Sequence, residues 1–136
     1  MPMPNDGRRR ATVRISSKFK TRIADIERYW IRLDLPESFE RMFEALETKA
    51  KPLLERFPAI GRVFLNTDPD TYQAILACEE LIEETEEAKK RAELREHVFE
   101  DYVLLYLLIG DTVLLTSIRH TKEVSFDFDH IWGPER

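Results

Sequence analysis

Residues 103–118, VLLYLLIGDTVLLTSI, restrict what this chain can fold into more than any other stretch. Two apolar runs of strand length flank Ile109-Gly110-Asp111, a tight-turn signal, so the segment reads as a β-hairpin. VLLYLL is apolar at consecutive positions, which puts hydrophobic side chains on both faces of its strand. Such a strand belongs in the centre of a sheet with helices covering at least one side. HVFEDY, residues 97–102, comes just before and reads as a further strand, so the last third of the chain is expected to be an antiparallel β-meander.

The first half supplies the cover. ATVRIS, residues 11–16, alternates Val13 and Ile15 with polar neighbours and reads as a strand. Ser16 or Ser17 then caps a helix, because a serine oxygen accepts from the free amides of a first turn. In that helix Phe19, Ile23, Ile26, Trp30 and Leu33 form one apolar stripe. DLPES, residues 34–38, breaks it at Pro36 and opens a second helix, where Phe39, Met42, Phe43, Leu46, Leu53 and Leu54 mark one face. So short a connection predicts an antiparallel helical hairpin. Pro52 is expected to bend the second helix or begin a new turn, and FPAIGR, residues 57–62, ends it.

From Asp68 to about Leu94 the chain is apolar early, at Tyr72, Ile75, Leu76 and Leu81, and charged later. This predicts an inserted helix over about residues 68–92 that begins docked and ends in solvent. Residues 1–10, rich in Pro and Arg, are expected to be a flexible tail and residues 11–125 a single domain. In the C-terminal extension, residues 126–136, Phe126, Phe128, Ile131 and Trp132 either form part of an apolar groove between hairpin and sheet or cover it, and SFDFDHIW, which alternates like an added edge strand, favours covering. The expected class is α+β: N-terminal strand, antiparallel helical hairpin, inserted helix and C-terminal antiparallel β-meander.

Composition narrows the function. With 43% hydrophobic and 35% charged residues the chain reads as soluble and globular, and no apolar stretch is long enough to suggest a membrane span. MPMPNDGRRRA has no hydrophobic run after its arginines, which is unlike a secretory signal. Cys78 is the single cysteine, so no internal disulfide is expected and a reducing cytoplasm is the natural compartment. His97, His120 and His130 are scattered, and neither a metal site nor a cofactor is expected. The net charge of −5 divides unevenly, net +5 over residues 1–62 and net −10 over 63–136. The overall acidity argues against general nucleic-acid binding, which depends on many phosphate contacts.

Several motifs then meet in order: the helical hairpin, LLERFPAIGR (residues 53–62), LREHVFEDYVLLYLL (94–108) and DTVLLTSIRHTKE (111–123). In this ordered set the chain resembles the RelE/ParE superfamily of bacterial type II toxins and looks closer to the ParE-like branch. The inserted helix, the acidic balance and the C-terminal extension depart from the usual pattern. The resemblance implies the toxin of a toxin–antitoxin system that inhibits growth by binding DNA gyrase and is neutralised by a cognate antitoxin. That antitoxin would lie in an apolar groove between hairpin and sheet, with the inserted helix available for partner choice or a homodimer contact. The alternative is a RelE-like, ribosome-dependent mRNA endonuclease; a relative of the fold without toxicity is the third reading.

The candidate site residues divide accordingly. RNA cleavage needs a base, an acid and cations on one phosphate, and Arg95, Arg119 and His120, joined by His97, are of the right types. For target or partner binding the candidates are Arg62, Arg95, Arg119, His120 and Trp132. Each has an ordinary alternative. Arg119 and His120 are also what a strand end reaching water carries, and Arg62 and Arg95 also suit the neutralising of carboxylates such as Glu55 or Glu100.

Overall fold

The computed structural model describes residues 10–63 and 83–122. Strand β1, Thr12–Ile15, leads directly into helix α1, Ser17–Arg32. Ser16 is the cap: its hydroxyl accepts from the Phe19 amide at 3.0 Å. The helix ends by doubling back through Asp34, at φ +62°, with the Asp34 amide donating to Ile31 and the Leu35 amide to Trp30. This left-handed closure satisfies the last carbonyls and starts α2, Pro36–Ala45, at once. The hairpin is therefore tight.

Pro52 acts as a new start. It lacks the amide that would bond Thr48, and the turn before it, Leu46–Ala50, widens into a π-helical turn. Helix α3, Lys51–Arg56, then carries Pro52 in its first turn, where no amide bond is lost. Of the α1 stripe, Phe19 and Ile26 are fully buried, while Ile23 and Trp30 pack partly buried against the core. Leu33 departs from the expected stripe and is exposed, because it falls on the cap where the chain leaves the helical path. Phe43 is also exposed, its ring stacked on Phe39 at 5.7 Å.

The sheet adds β2, Arg62–Val63, β3, Glu93–Phe99, β4, Tyr102–Ile109, and β5, Thr112–His120. Its order is β1-β5-β4-β3-β2, with β1 parallel to β5 and the other pairs antiparallel. The first turn of the meander is Glu100-Asp101, inside the expected HVFEDY strand, and Tyr102 already belongs to β4. Glu100 there has φ +51°, and Gly110 has φ +57° in the second turn. Between β4 and β5 the register shifts: Tyr106 faces Leu115 while Leu105 faces Ser117, so Thr116 is an extra residue. Its hydroxyl donates to the Leu105 carbonyl at 2.9 Å.

One sheet face carries the main core. Phe19 and Ile26 of α1, Met42, Leu46 and Leu54 pack there with Leu104, Tyr106, Val113, Leu115 and Ile118. On the other face Leu94, Leu107, Ile109 and Leu114 form a second cluster with Ala92. Both faces of β4 are thus apolar and buried, as its sequence requires. Ala88 of α4, Glu86–Lys90, packs on the second cluster. Most of the expected 68–92 helix lies outside the described residues; within them residues 83–85 are not helical and the Thr85 hydroxyl caps α4. Among the described residues no helix is long and apolar enough to cross a membrane.

Candidate functional site

Side chains directly opposite one another on neighbouring strands share a sheet face. The register therefore sorts the candidates. Arg95 faces Tyr106, His97 faces Leu104, and Phe99, Tyr102 and His120 share one row, all on the face covered by the helices. Val98, Val103 and Arg119 share a row on the opposite face. Strand spacing and rise put the Cα atoms of His97 and His120 about 12 Å apart and those of Arg95 and His120 about 16 Å apart. The four candidates for cleavage chemistry do not converge.

Arg95 and Tyr106 instead clamp the Phe57–Arg62 turn. The Tyr106 hydroxyl donates to the Pro58 carbonyl at 2.7 Å and accepts from the Gly61 amide at 3.0 Å. Arg95 donates to the Ala59 carbonyl at 3.1 Å and to the Gly61 carbonyl, and pairs with Glu93 at 2.8 Å. Burial pushes the Tyr106 phenol above its ordinary 10.0, against the opposing pull of the Gly61 amide and Arg95. Gly61 is required: a β-carbon there would stand 2.6 Å from the Glu96 carbonyl oxygen and 2.7 Å from the Tyr106 hydroxyl. Arg62 pairs with Glu96 across β2 and β3 at 2.7 Å. The carboxylates neutralised by Arg95 and Arg62 are thus Glu93 and Glu96, in place of Glu55 or Glu100.

His120 has a different setting. With Trp30, Ser38, Arg41, Met42, Glu100, Asp101 and Tyr102 it lines an open cleft of about 100 Å³ between the helical hairpin and the first turn of the meander. The Trp30 indole donates to the Tyr102 hydroxyl at 2.9 Å, and the His120 ring stands edge-on to Tyr102 at 5.2 Å. His120 Nδ1 accepts from the Lys122 amide at 3.1 Å, which requires the neutral tautomer protonated at Nε2. Burial lowers the His120 pKa below its ordinary 6.5, with Asp101 opposing and Lys122 assisting. Burial also lowers that of His97. Arg119 is half-buried and donates to the His120 carbonyl at 3.3 Å.

Trp132 and the 126–136 extension lie outside the described residues. Sequence reading missed Ser38, Arg41, Glu100, Asp101 and Tyr102 as neighbours of His120. Only Glu-Asp between two strand-like runs hinted at a corner, and adjacent acids in a turn are too common to single out. Among the described residues no group of His, Cys, Asp or Glu is placed to hold a metal ion. Hairpin and sheet are joined by the main core, so the expected groove between them is filled where that core lies; an opening remains at the His120 cleft. No family model matches the chain, and no curated protein matches it.

Proposed function

We propose that this protein inhibits bacterial growth by binding, as the toxin of a type II toxin–antitoxin pair acting on DNA gyrase in the ParE-like manner. In this reading it works in the cytoplasm without breaking a bond itself, and a cognate antitoxin keeps it silent. The observation that carries the choice over RNA cleavage is the dispersal of Arg95, His97, Arg119 and His120. Cleavage needs base, acid and cation around one phosphate, within hydrogen-bond reach. Here Arg119 lies across the sheet from the others, and Arg95 is engaged by Glu93 and the turn carbonyls. A binding mechanism needs surface. Phe57, Ile60 and Val63 supply it as exposed apolar side chains on and just after the clamped turn.

Expression in bacteria without a partner tests the reading. Growth should stop with the DNA-damage response induced and messages intact. Normal growth would overturn the toxin reading as a whole, and fragmented messages would replace gyrase binding with RNA cleavage.

A further inference from the structure

We infer that the outer surface of the Phe57–Arg62 turn docks a partner-protein segment in which carboxylates flank apolar side chains. This rests on the proposed reading only in taking that surface as the one that binds; the identity of the target does not enter it. Ile60 donates to the Phe57 carbonyl at 3.0 Å, closing a β-turn that brings the two Cα atoms within about 7 Å of each other. The carbonyls of Pro58, Ala59 and Gly61 and the Gly61 amide are all taken by Tyr106 or Arg95. What faces outward is therefore side chain, and much of it is apolar: Phe57 is 46% exposed, Ile60 48% and Val63, on the outermost strand β2, 42%. A main chain so braced loses little freedom when its surface is covered.

Charge decides what covers it. Two exposed guanidiniums accompany these apolar side chains along the chain, Arg56 at the end of α3 and Arg62 on β2. Arg56 forms no ion pair among the described residues. Arg62 gives Glu96 only its Nε and Nη2 donors, both at 2.7 Å to one oxygen, and its side chain stays 83% exposed. The neighbouring acids do not offset this. Glu55, the single acid of residues 55–63, is half-buried, the Glu96 side chain is 12% exposed beside Arg62, and Glu93 is engaged by Arg95. The surface is thus positive and apolar on a chain of net charge −5, and a segment with carboxylates beside hydrophobic side chains complements both features. Nucleic acid does not fit, because its binding depends on many phosphate contacts and here two cations stand among three hydrophobic side chains.

The probe is the blocked peptide N-acetyl-Glu-Leu-Leu-Glu-amide, titrated into the full chain and followed by the NMR methyl signals of Ile60 and Val63. Its glutamine counterpart has nearly the same shape without the charge. The glutamate peptide should shift both signals saturably and bind about fivefold more tightly than the glutamine peptide, with the difference shrinking as salt rises. Arg56→Gln together with Arg62→Gln should leave the fold intact, since both side chains are exposed, and abolish the preference. Equal binding of the two peptides, no saturable shift at Ile60 and Val63, or a preference that survives the double substitution would overturn the inference, and none of these touches the growth test of the toxin reading. Tighter binding of a short thymidine oligonucleotide at the same signals would assign the surface to nucleic acid, and shifts on dilution of the chain alone would assign it to a second copy; either result overturns the inference as well.

Discussion

Tyr106 and Tyr102 lie on the same strand and the same face, yet their hydroxyls meet different surroundings. Tyr106 is bonded twice to the main chain of the Phe57–Arg62 turn, and its neighbour Arg95 is satisfied by two carbonyls and Glu93. Tyr102 accepts from one indole at the edge of an open cleft whose carboxylates form no ion pair among the described residues. The first end of the face is finished as structure, and the second keeps charge available. Residue type alone therefore does not mark a site, since arginine and tyrosine complete the fold at one end and acids with aromatics frame an opening at the other.

Substitutions can break this contrast. The largest effect is expected for Gly61→Ala, which drives a methyl group into the Glu96 carbonyl and the Tyr106 ring and should cost about 3 kcal/mol in urea unfolding. Tyr106→Phe removes two bonds and strands the Pro58 carbonyl and the Gly61 amide, for about 2 kcal/mol. Tyr102→Phe, losing the bond from Trp30, should cost about 1 kcal/mol. Equal losses for the two tyrosine variants would erase the distinction between the ends.

Histidine titration sharpens it further. Burial lowers the pKa of both His97 and His120 below the ordinary 6.5, so the unfolded chain takes up protons first as pH falls. The contribution of these groups is fully present above pH 6.5 and is lost as pH drops through their folded values. His97→Gln combined with His120→Gln should flatten the slope of stability against pH just below 6.5. An unchanged slope would mean that other groups set the acid limb. The smallest effect is expected for Arg62→Ala: its side chain is 83% exposed, and loss of the pair with Glu96 should change stability by less than about 0.5 kcal/mol.

Much of the fold was legible because it rests on local signals. Ser16 as a cap, the Pro36 break and the Ile109-Gly110-Asp111 turn each act over a few residues, and each stands where the sequence puts it. The parallel seat of β1 against β5 was not legible, since it joins residues about a hundred positions apart and leaves no mark in the periodicity of either strand. The first meander turn was misplaced because Glu100, at φ +51°, lacks the glycine that normally announces such a turn. The site was less legible still. His120 was noticed from its place at a strand end, but its neighbours come from α1, α2 and the meander turn and meet only through tertiary packing.

The extra residue at Thr116 has a consequence for inheritance. Side chains alternate faces along a strand, and the bulge absorbs Thr116 so that Leu115 and Ile118 share the helix-covered face while Arg119 turns to the other side. A single codon lost at Thr116 would leave a regular ladder, with Arg119 still opposite Val103 and His120 still opposite Tyr102. The strand thus holds one residue to spare ahead of its end, and a one-residue gap there would disturb the corner less than the same gap in β4, where no bulge could absorb it.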